Sequence, residues 1–168
     1  MSHSEQGSVA YGNDELTIAI GETDAYLYSI RENPIFTNYY LEITAAPSLC
    51  RELDEYGVLF RVSQTLDYYR FSLSCNGQVR LDRISGGQAS SPQPWILSGA
   101  VPPGAPSSSR LGILAVGSEM KFYVNEHFQF SVVDPLLTAG GLGVFARSTN
   151  GMAVTVNFSN LVVFEVTQ

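Results

Sequence analysis

The chain has little of what metal centres and nucleophilic active sites are built from. It has two cysteines and two histidines among 168 residues, which is too few ligands at readable spacing for a zinc or redox-metal site. The histidines, His3 and His127, have no serine, cysteine or carboxylate partner at a spacing typical of a nucleophile–histidine system. No glycine-rich phosphate-binding loop precedes a helix. The sequence therefore points to none of these catalytic classes.

Basic charge and long apolar runs are also scarce. Nine lysines and arginines stand against sixteen acidic residues, which gives a net charge of −7. This balance argues against a nucleic-acid partner, because binding to a phosphate backbone relies on basic patches. No apolar run approaches the roughly 20 residues that a membrane-spanning helix needs. We therefore expect neither nucleic-acid binding nor insertion of this domain into a membrane.

Short alternating strands take the place of helical periodicity. The clearest alternation lies in Tyr56–Arg83, which reads as three strands joined by two turns. Asn76-Gly77 joins the second and third strands and favours a two-residue hairpin turn. Strands that recur at short intervals with turn residues between them predict an all-β sandwich or barrel. We assign residues 8–168 to one such domain and residues 1–7 to a flexible tail.

Two further segments carry specific predictions. Residues 86–109 are rich in glycine, serine and proline, and we predict a long connection there with a short strand at Trp95–Leu97. Leu142–Ser148 and Met152–Phe158 are predicted to pair as a hairpin around the turn residues between them.

Polar side chains share one predicted face of the three central strands. The charged members of this face are Arg61, Arg70, Arg80 and Asp82. One interpretation is a solvated face whose arginines pair with nearby carboxylates. The other is a binding site, because the planar fork of arginine donates several hydrogen bonds to a hydroxyl-rich ligand. Trp95 is the best candidate for stacking on a sugar, although it fits equally well as a residue that plugs the sandwich edge.

An acidic motif resembles part of a glycosidase site but is incomplete. Glu52 and Asp54 share one strand parity, Glu55 has the other, and the next alternate position is Tyr56. Retaining glycosidases need two carboxyl groups about 5–5.5 Å apart. The motif also precedes the predicted strand, so we interpret it as a solvated acidic loop and assign no catalytic residue. A hydrolase that uses Glu52 or Asp54 together with Asp82 is the alternative.

The two cysteines lie where they can meet. Cys75 ends a predicted strand and Cys50 lies in the loop before the neighbouring strand, which places them within disulfide reach. Two buried free thiols are the alternative, and we favour the disulfide. A disulfide would indicate an oxidising, extracytoplasmic setting.

Three stretches resemble a known superfamily. They are YGVLFRVSQTLDYYRFSLSCNGQVRLDR, RLGILAVGSEMKFYVNEHF and GGLGVFARSTNGMAVTVNFSNLVV. They are similar to the concanavalin A-like lectin/glucanase superfamily, in particular to the laminin G- and glucanase-like domains of bacterial surface proteins and lipoproteins. The resemblance implies a jelly-roll β-sandwich of two antiparallel sheets outside the cytoplasm. The resemblance is compatible with a structural calcium ion. However, Ser159 replaces the acidic residue of the closing motif. We therefore assign no cofactor and no metal ligands.

These observations together predict a non-catalytic extracytoplasmic module. It would bind carbohydrate or another surface ligand on its polar sheet face, through Arg61, Arg70, Arg80, Asp82 and Trp95. Two alternatives remain at this stage. One is a glycoside hydrolase-like enzyme that acts on polysaccharide, and the other is a structural or interaction domain of a larger surface protein. A structural domain would have its arginines fully paired within the sheet and would lack a cleft.

Overall fold

The computed structural model describes residues 2–3, 7–12, 14–22 and 24–167. These residues form fourteen strands and no helix, so no helical membrane span occurs among them. The strands are β1 (Ser2–His3), β2 (Gly7–Gly12), β3 (Glu15–Ile20), β4 (Ala25–Phe36), β5 (Tyr39–Leu49), β6 (Glu55–Val62), β7 (Tyr68–Ser74), β8 (Gln78–Ser85), β9 (Gln88–Leu97), β10 (Ser109–Val116), β11 (Glu119–Val124), β12 (His127–Val133), β13 (Gly140–Ser148) and β14 (Val154–Glu165).

The strands are arranged in two antiparallel sheets that pack face to face. The eight-stranded sheet has the order β1-β2-β3-β14-β5-β10-β11-β12, and the six-stranded sheet has the order β4-β13-β6-β7-β8-β9. Every pair of neighbouring strands runs antiparallel. One main hydrophobic core lies between the sheets. The prediction of an all-β jelly-roll sandwich is confirmed.

Strand alternation determines which side chains of the central strands enter the core. Val58 and Phe60 of β6, Phe71 and Leu73 of β7 and Leu81 of β8 point inward and are buried. Burying each of these side chains stabilises the fold by about 1.5–3 kcal/mol. Successive side chains of a strand point to opposite faces, so the polar residues between them must lie on the outer face of the six-stranded sheet.

The strand register brings the outer-face residues together. Arg70 of β7 lies opposite Asp82 of β8, and Ser72 lies opposite Arg80. On its other side, Arg70 lies opposite Leu59 of β6. Directly opposed side chains of an antiparallel pair lie about 4.5–5.5 Å apart at Cβ, which is close enough for long polar side chains to bond.

Strand β9 is longer than the sequence predicted. The short strand expected at Trp95–Leu97 is the end of a ten-residue strand that begins at Gln88. This strand forms the edge of the six-stranded sheet. An edge strand tolerates Pro92 and Pro94, because a backbone position that faces solvent needs no N–H group for the sheet.

The hairpin predicted for Leu142–Ser148 and Met152–Phe158 is wrong. Strand β13 pairs with β4 and β6, whereas β14 pairs with β3 and β5 in the other sheet. The turn between them therefore crosses from one sheet to the other. Turn residues mark a reversal of the chain but do not distinguish a hairpin from a crossing between stacked sheets.

The flexible tail predicted for residues 1–7 falls partly outside the described residues, which omit residues 1 and 4–6. Ser2–His3 form β1, and β1 pairs with β2 at the edge of the eight-stranded sheet. Their backbone is thus part of the sheet.

A disulfide connects Cys50 and Cys75, as the sequence predicted. Their Cα atoms are 5.9 Å apart, which is within the usual range for a bridge. Cys50 follows β5 of the eight-stranded sheet, and Cys75 follows β7 of the six-stranded sheet. The bond therefore links the two sheets covalently.

We expect reduction of this disulfide to lower the free energy of unfolding by about 3 kcal/mol, because the bridge closes a loop of 25 residues in the unfolded chain. Urea unfolding with and without a reductant measures the change. The double variant Cys50→Ala/Cys75→Ala is the control, and its midpoint should not respond to the reductant. An unchanged midpoint for the reduced native chain would contradict the expectation.

Candidate functional site

A network of charged side chains lies on the outer face of the six-stranded sheet. Arg70 donates to Asp82 Oδ2 from Nε and Nη2, at 3.1 and 2.7 Å. Arg80 donates from Nη2 to Glu55 Oε2 at 2.7 Å, and its Nε lies 3.2 Å from Asp82 Oδ2. Arg70 Nε is also 3.9 Å from Glu55 Oε1. We call these four residues, Glu55, Arg70, Arg80 and Asp82, the charge network.

The network is deeply buried, although it lies on an outer face of the sandwich. Glu55 and Asp82 are each 2% exposed, and Arg70 is 7% exposed. Burial raises the pKa of Glu55, and the guanidinium groups of Arg80, Arg70 and Arg147 act in the opposite direction. Although burial opposes it, the hydrogen bonds to Asp82 raise the pKa of Arg70. Breaking such a buried pair costs about 3–5 kcal/mol, so the network is rigid.

Partly exposed side chains surround the network, and we call them the rim. The rim consists of Ser91, Trp95, Arg147 and the tip of Arg80. Arg80 Cζ lies 4.2 Å from the centre of the Trp95 ring, which is a cation–π contact. Ser91 Oγ donates to Asp82 Oδ1 at 2.6 Å. Arg147 Nη1 is 4.0 Å from Glu55 Oε1, and the Arg147 side chain is 44% exposed.

An open pocket of about 330 Å³ adjoins the network on the side of β13 and β4. Arg147 belongs to its lining, as do Asp24 and Tyr26. The Tyr26 ring lies 5.3 Å from Arg70 Cζ, so the pocket is in contact with the charge network. A larger open groove of about 620 Å³ lies beside Leu97 and Phe128, and its lining has no carboxylate or guanidinium group. Of these two pockets, the smaller one is therefore in contact with the charge network.

Arg61 does not join the other predicted site residues. Its neighbours Phe60 and Val62 pair with Leu142 and Gly141, and the register shift between these pairs leaves Arg61 as a bulge. The bulge turns its side chain inward, where it is fully buried. There Nη1 donates to the carbonyl oxygens of two loops and Nη2 to that of a third. The acceptors are Gly117 O at 2.6 Å, Leu137 O at 3.1 Å and Thr37 O at 3.0 Å.

The acidic segment before β6 is not a solvated loop, contrary to the interpretation from the sequence. Glu55 is the first residue of β6 and is buried. Asp54 is fully buried, and it accepts from the backbone N–H groups of Thr149 and Arg51 at 2.9 Å each. Only Glu52 of the three acidic residues is exposed. Asp54 therefore holds the turn between β13 and β14 and is not positioned beside Asp82.

Sequence reasoning missed the role of Glu55, although a signal was available. Its parity matches Gly57 and Leu59, which lie on the same side of β6 as the polar face. Extending β6 back by two residues would have placed Glu55 beside the arginines. Across the described residues, no group of three or more histidine, cysteine, aspartate or glutamate side chains is arranged to hold a metal ion.

Each of the three predicted arginines is bonded within the protein, which is the arrangement expected of a structural domain. The network nevertheless has spare polar capacity. Glu55 Oε1 and Ser72 Oγ are buried and have no hydrogen-bond partner among the described residues, although Glu55 Oε1 lies 3.9 Å from Arg70 Nε and 4.0 Å from Arg147 Nη1. An unpaired buried polar group costs about 1–3 kcal/mol, so a purely structural network would be expected to satisfy these atoms.

We expect Arg61→Leu to lower the free energy of unfolding by roughly 3 kcal/mol or more, because three carbonyl groups lose their buried donor. Urea unfolding measures the change. Arg51→Leu is the matched control, since Arg51 is exposed and its loss should change stability by less than about 0.5 kcal/mol. Equal stability of the two variants would show that the inward-facing guanidinium contributes nothing.

Comparison with known proteins identifies the fold. No family model and no curated protein match the chain. Carbohydrate binding module CBM66 from Bacillus subtilis is 15% identical, with a TM-score of 0.76 over 95% of this chain and 92% of that chain. A Bacillus subtilis protein of unknown function with a galectin-like fold is 12% identical, with a TM-score of 0.70 over 95% and 86%. A Bacillus licheniformis beta-glucanase is 11% identical, with a TM-score of 0.66 over 99% and 95%.

These similarities show that the chain has the jelly-roll β-sandwich fold of these proteins, as the sequence predicted. At such low identities they establish the fold alone, because this architecture carries many unrelated functions.

Proposed function

We propose that this chain is a non-catalytic module that binds carbohydrate on the outer face of its six-stranded sheet. The observation that carries the proposal is the connection between the buried charge network and the partly exposed Arg80–Trp95 stack. A sugar presents hydroxyl groups at its edges and an apolar surface on its ring faces. Fixed polar groups beside an indole ring suit both parts of such a ligand.

The buried carboxylates order the rim side chains before a ligand binds. Arg80 lies between Glu55 and Asp82, at 2.7 and 3.2 Å, so its side chain is ordered before any ligand arrives. Ordering a flexible side chain upon binding costs about 0.5–1.5 kcal/mol, and here that cost is met during folding. Trp95 stacks on this ordered guanidinium, and the contact orders the indole ring as well.

The comparisons and the disulfide support the same proposal. One similar structure is a carbohydrate binding module by name, and another is a beta-glucanase. The Cys50–Cys75 bond supports an oxidising, extracytoplasmic setting. We propose that the module acts there as part of a larger surface protein, with no cofactor required for binding.

Binding fits the geometry better than catalysis does. The enzyme hypothesis is favoured by one observation, which is that Glu55 and Asp82 lie on the same face and share the same two arginines. Both carboxylates are buried beneath those arginines, however. A nucleophilic carboxylate must reach the anomeric carbon of the sugar, and neither group is exposed enough for such contact.

We expect Trp95→Ala to weaken glycan binding by about fivefold or more, because truncating an aromatic anchor typically costs more than about 1 kcal/mol. A glycan array identifies ligands of the native chain, and calorimetry compares the variants. Phe164→Ala is the matched control, since Phe164 is 56% exposed on the other sheet. Thermal unfolding confirms that both variants fold.

Three results are informative. Loss of binding in Trp95→Ala alone supports the proposed site. Unchanged binding in that variant contradicts the proposed site and indicates that the glycan binds elsewhere on the chain. The absence of any glycan ligand for the native chain contradicts the proposed function.

The enzyme hypothesis has its own test. We expect no release of reducing ends when the native chain is incubated with any polysaccharide that it binds. Glu55→Gln is the companion variant, because it removes the carboxylate but keeps a hydrogen-bond acceptor for Arg80. Hydrolysis by the native chain that is lost in Glu55→Gln would overturn the non-catalytic proposal.

A further inference from the structure

We infer that the ligand of this face is an acidic oligosaccharide whose carboxylate binds Arg147 while another of its sugar rings stacks on Trp95. The inference rests on the proposed function and names the ligand class for the same face. Uronic acids are the sugars that carry such carboxylates.

The face is less negative than the chain as a whole. Three guanidinium groups, those of Arg70, Arg80 and Arg147, contact two carboxylates, those of Glu55 and Asp82. Asp24 lines the pocket beside Arg147 and adds a third carboxylate, so the face is close to neutral in a chain whose net charge is −7. A neutral face with an accessible guanidinium repels an anionic ligand less than the rest of this acidic surface does.

Of the three arginines, Arg147 has the longest contact to a carboxylate of the network. Arg70 and Arg80 each lie 2.7 Å from a carboxylate oxygen, whereas Arg147 comes only within 4.0 Å of Glu55. Its side chain is also the most exposed of the three. A guanidinium that is near a buried carboxylate but not bonded to it keeps its donors for a ligand. Its planar fork matches a carboxylate in bidentate geometry.

The contacts of the network connect the two groups that would bind the ligand. Strands β6, β7 and β8 lie between β13, which carries Arg147, and β9, which carries Trp95, so the backbones of these two strands are about 19 Å apart. The side chains lie closer together than the strands do. Arg147 is 4.0 Å from Glu55, Glu55 is 2.7 Å from Arg80, and Arg80 Cζ is 4.2 Å from the centre of the Trp95 ring. A ligand of two or more sugars that lies along this line across the strands contacts both groups.

Asp24 provides a second and opposite probe of the ligand charge. It is exposed and lines the same pocket as Arg147. A carboxylate on the ligand would be repelled by Asp24 and attracted by Arg147, whereas a neutral ligand would be affected little by either.

Calorimetry with three matched oligosaccharides tests the inference. They are a uronic-acid oligosaccharide, its carboxyl-reduced form and a sulfated neutral oligosaccharide. We expect the uronic-acid ligand to bind at least tenfold more tightly than its carboxyl-reduced form. Arg147→Gln should abolish that preference, and Asp24→Asn should strengthen binding of the acidic ligand two- to threefold. Lys121→Gln is the control, because Lys121 is a partly exposed cation on β11 of the eight-stranded sheet.

Each contrary result has a distinct meaning. Equal binding of the acidic and carboxyl-reduced forms overturns the inference but leaves the glycan-binding proposal intact. Preference for the sulfated ligand overturns the uronic-acid assignment in favour of a sulfate ester. A uronic-acid monosaccharide that binds as tightly as the oligosaccharide overturns the simultaneous contact with Arg147 and Trp95. Failure of every oligosaccharide to bind overturns the proposed function itself.

Discussion

One carboxylate orders the outer face of the six-stranded sheet. Asp82 Oδ2 accepts two hydrogen bonds from Arg70 and lies 3.2 Å from Arg80, and Asp82 Oδ1 accepts from Ser91 of the edge strand. A buried carboxylate must be matched by donors on both oxygens, and the three donors here come from β7, β8 and β9. The position of Trp95 on β9 therefore depends on Asp82 through two routes, the Ser91 bond and the stack on Arg80.

The burial of this carboxylate also limits the chemistry of the face. An acid or nucleophile in a hydrolase has to exchange its contacts with the substrate as the reaction proceeds. Glu55 Oε2 and Asp82 Oδ2 instead accept hydrogen bonds from arginines, and removing these carboxylates from their arginines would leave buried charges unpaired. The same bonds hold the arginine tips in fixed directions, and fixed donors reduce the entropy lost when a ligand binds.

The sequence predicted the sheet better than it predicted the site. Alternation identified Arg70, Arg80 and Asp82 as one face, because the side-chain period of a regular strand is two. The same rule misplaced Arg61, because a bulge adds one residue and reverses the alternation after it. Glu55 was missed because strand ends are weakly marked in sequence, and its burial depends on arginines from strands that are distant in the chain. Arg147 was missed because its contact with Glu55 joins strands that are distant in the chain.

The covalent link between Cys50 and Cys75 has a mechanical consequence. The eight-stranded sheet contains β1 and β14, the first and last strands described, whereas the charge network lies on the six-stranded sheet. A pulling force on that network reaches the opposite sheet through side-chain packing and through the loops that cross between the sheets, such as the turn between β13 and β14. The disulfide adds a direct covalent link between the ends of β5 and β7, so it opposes sliding of the two layers independently of the packing in the core.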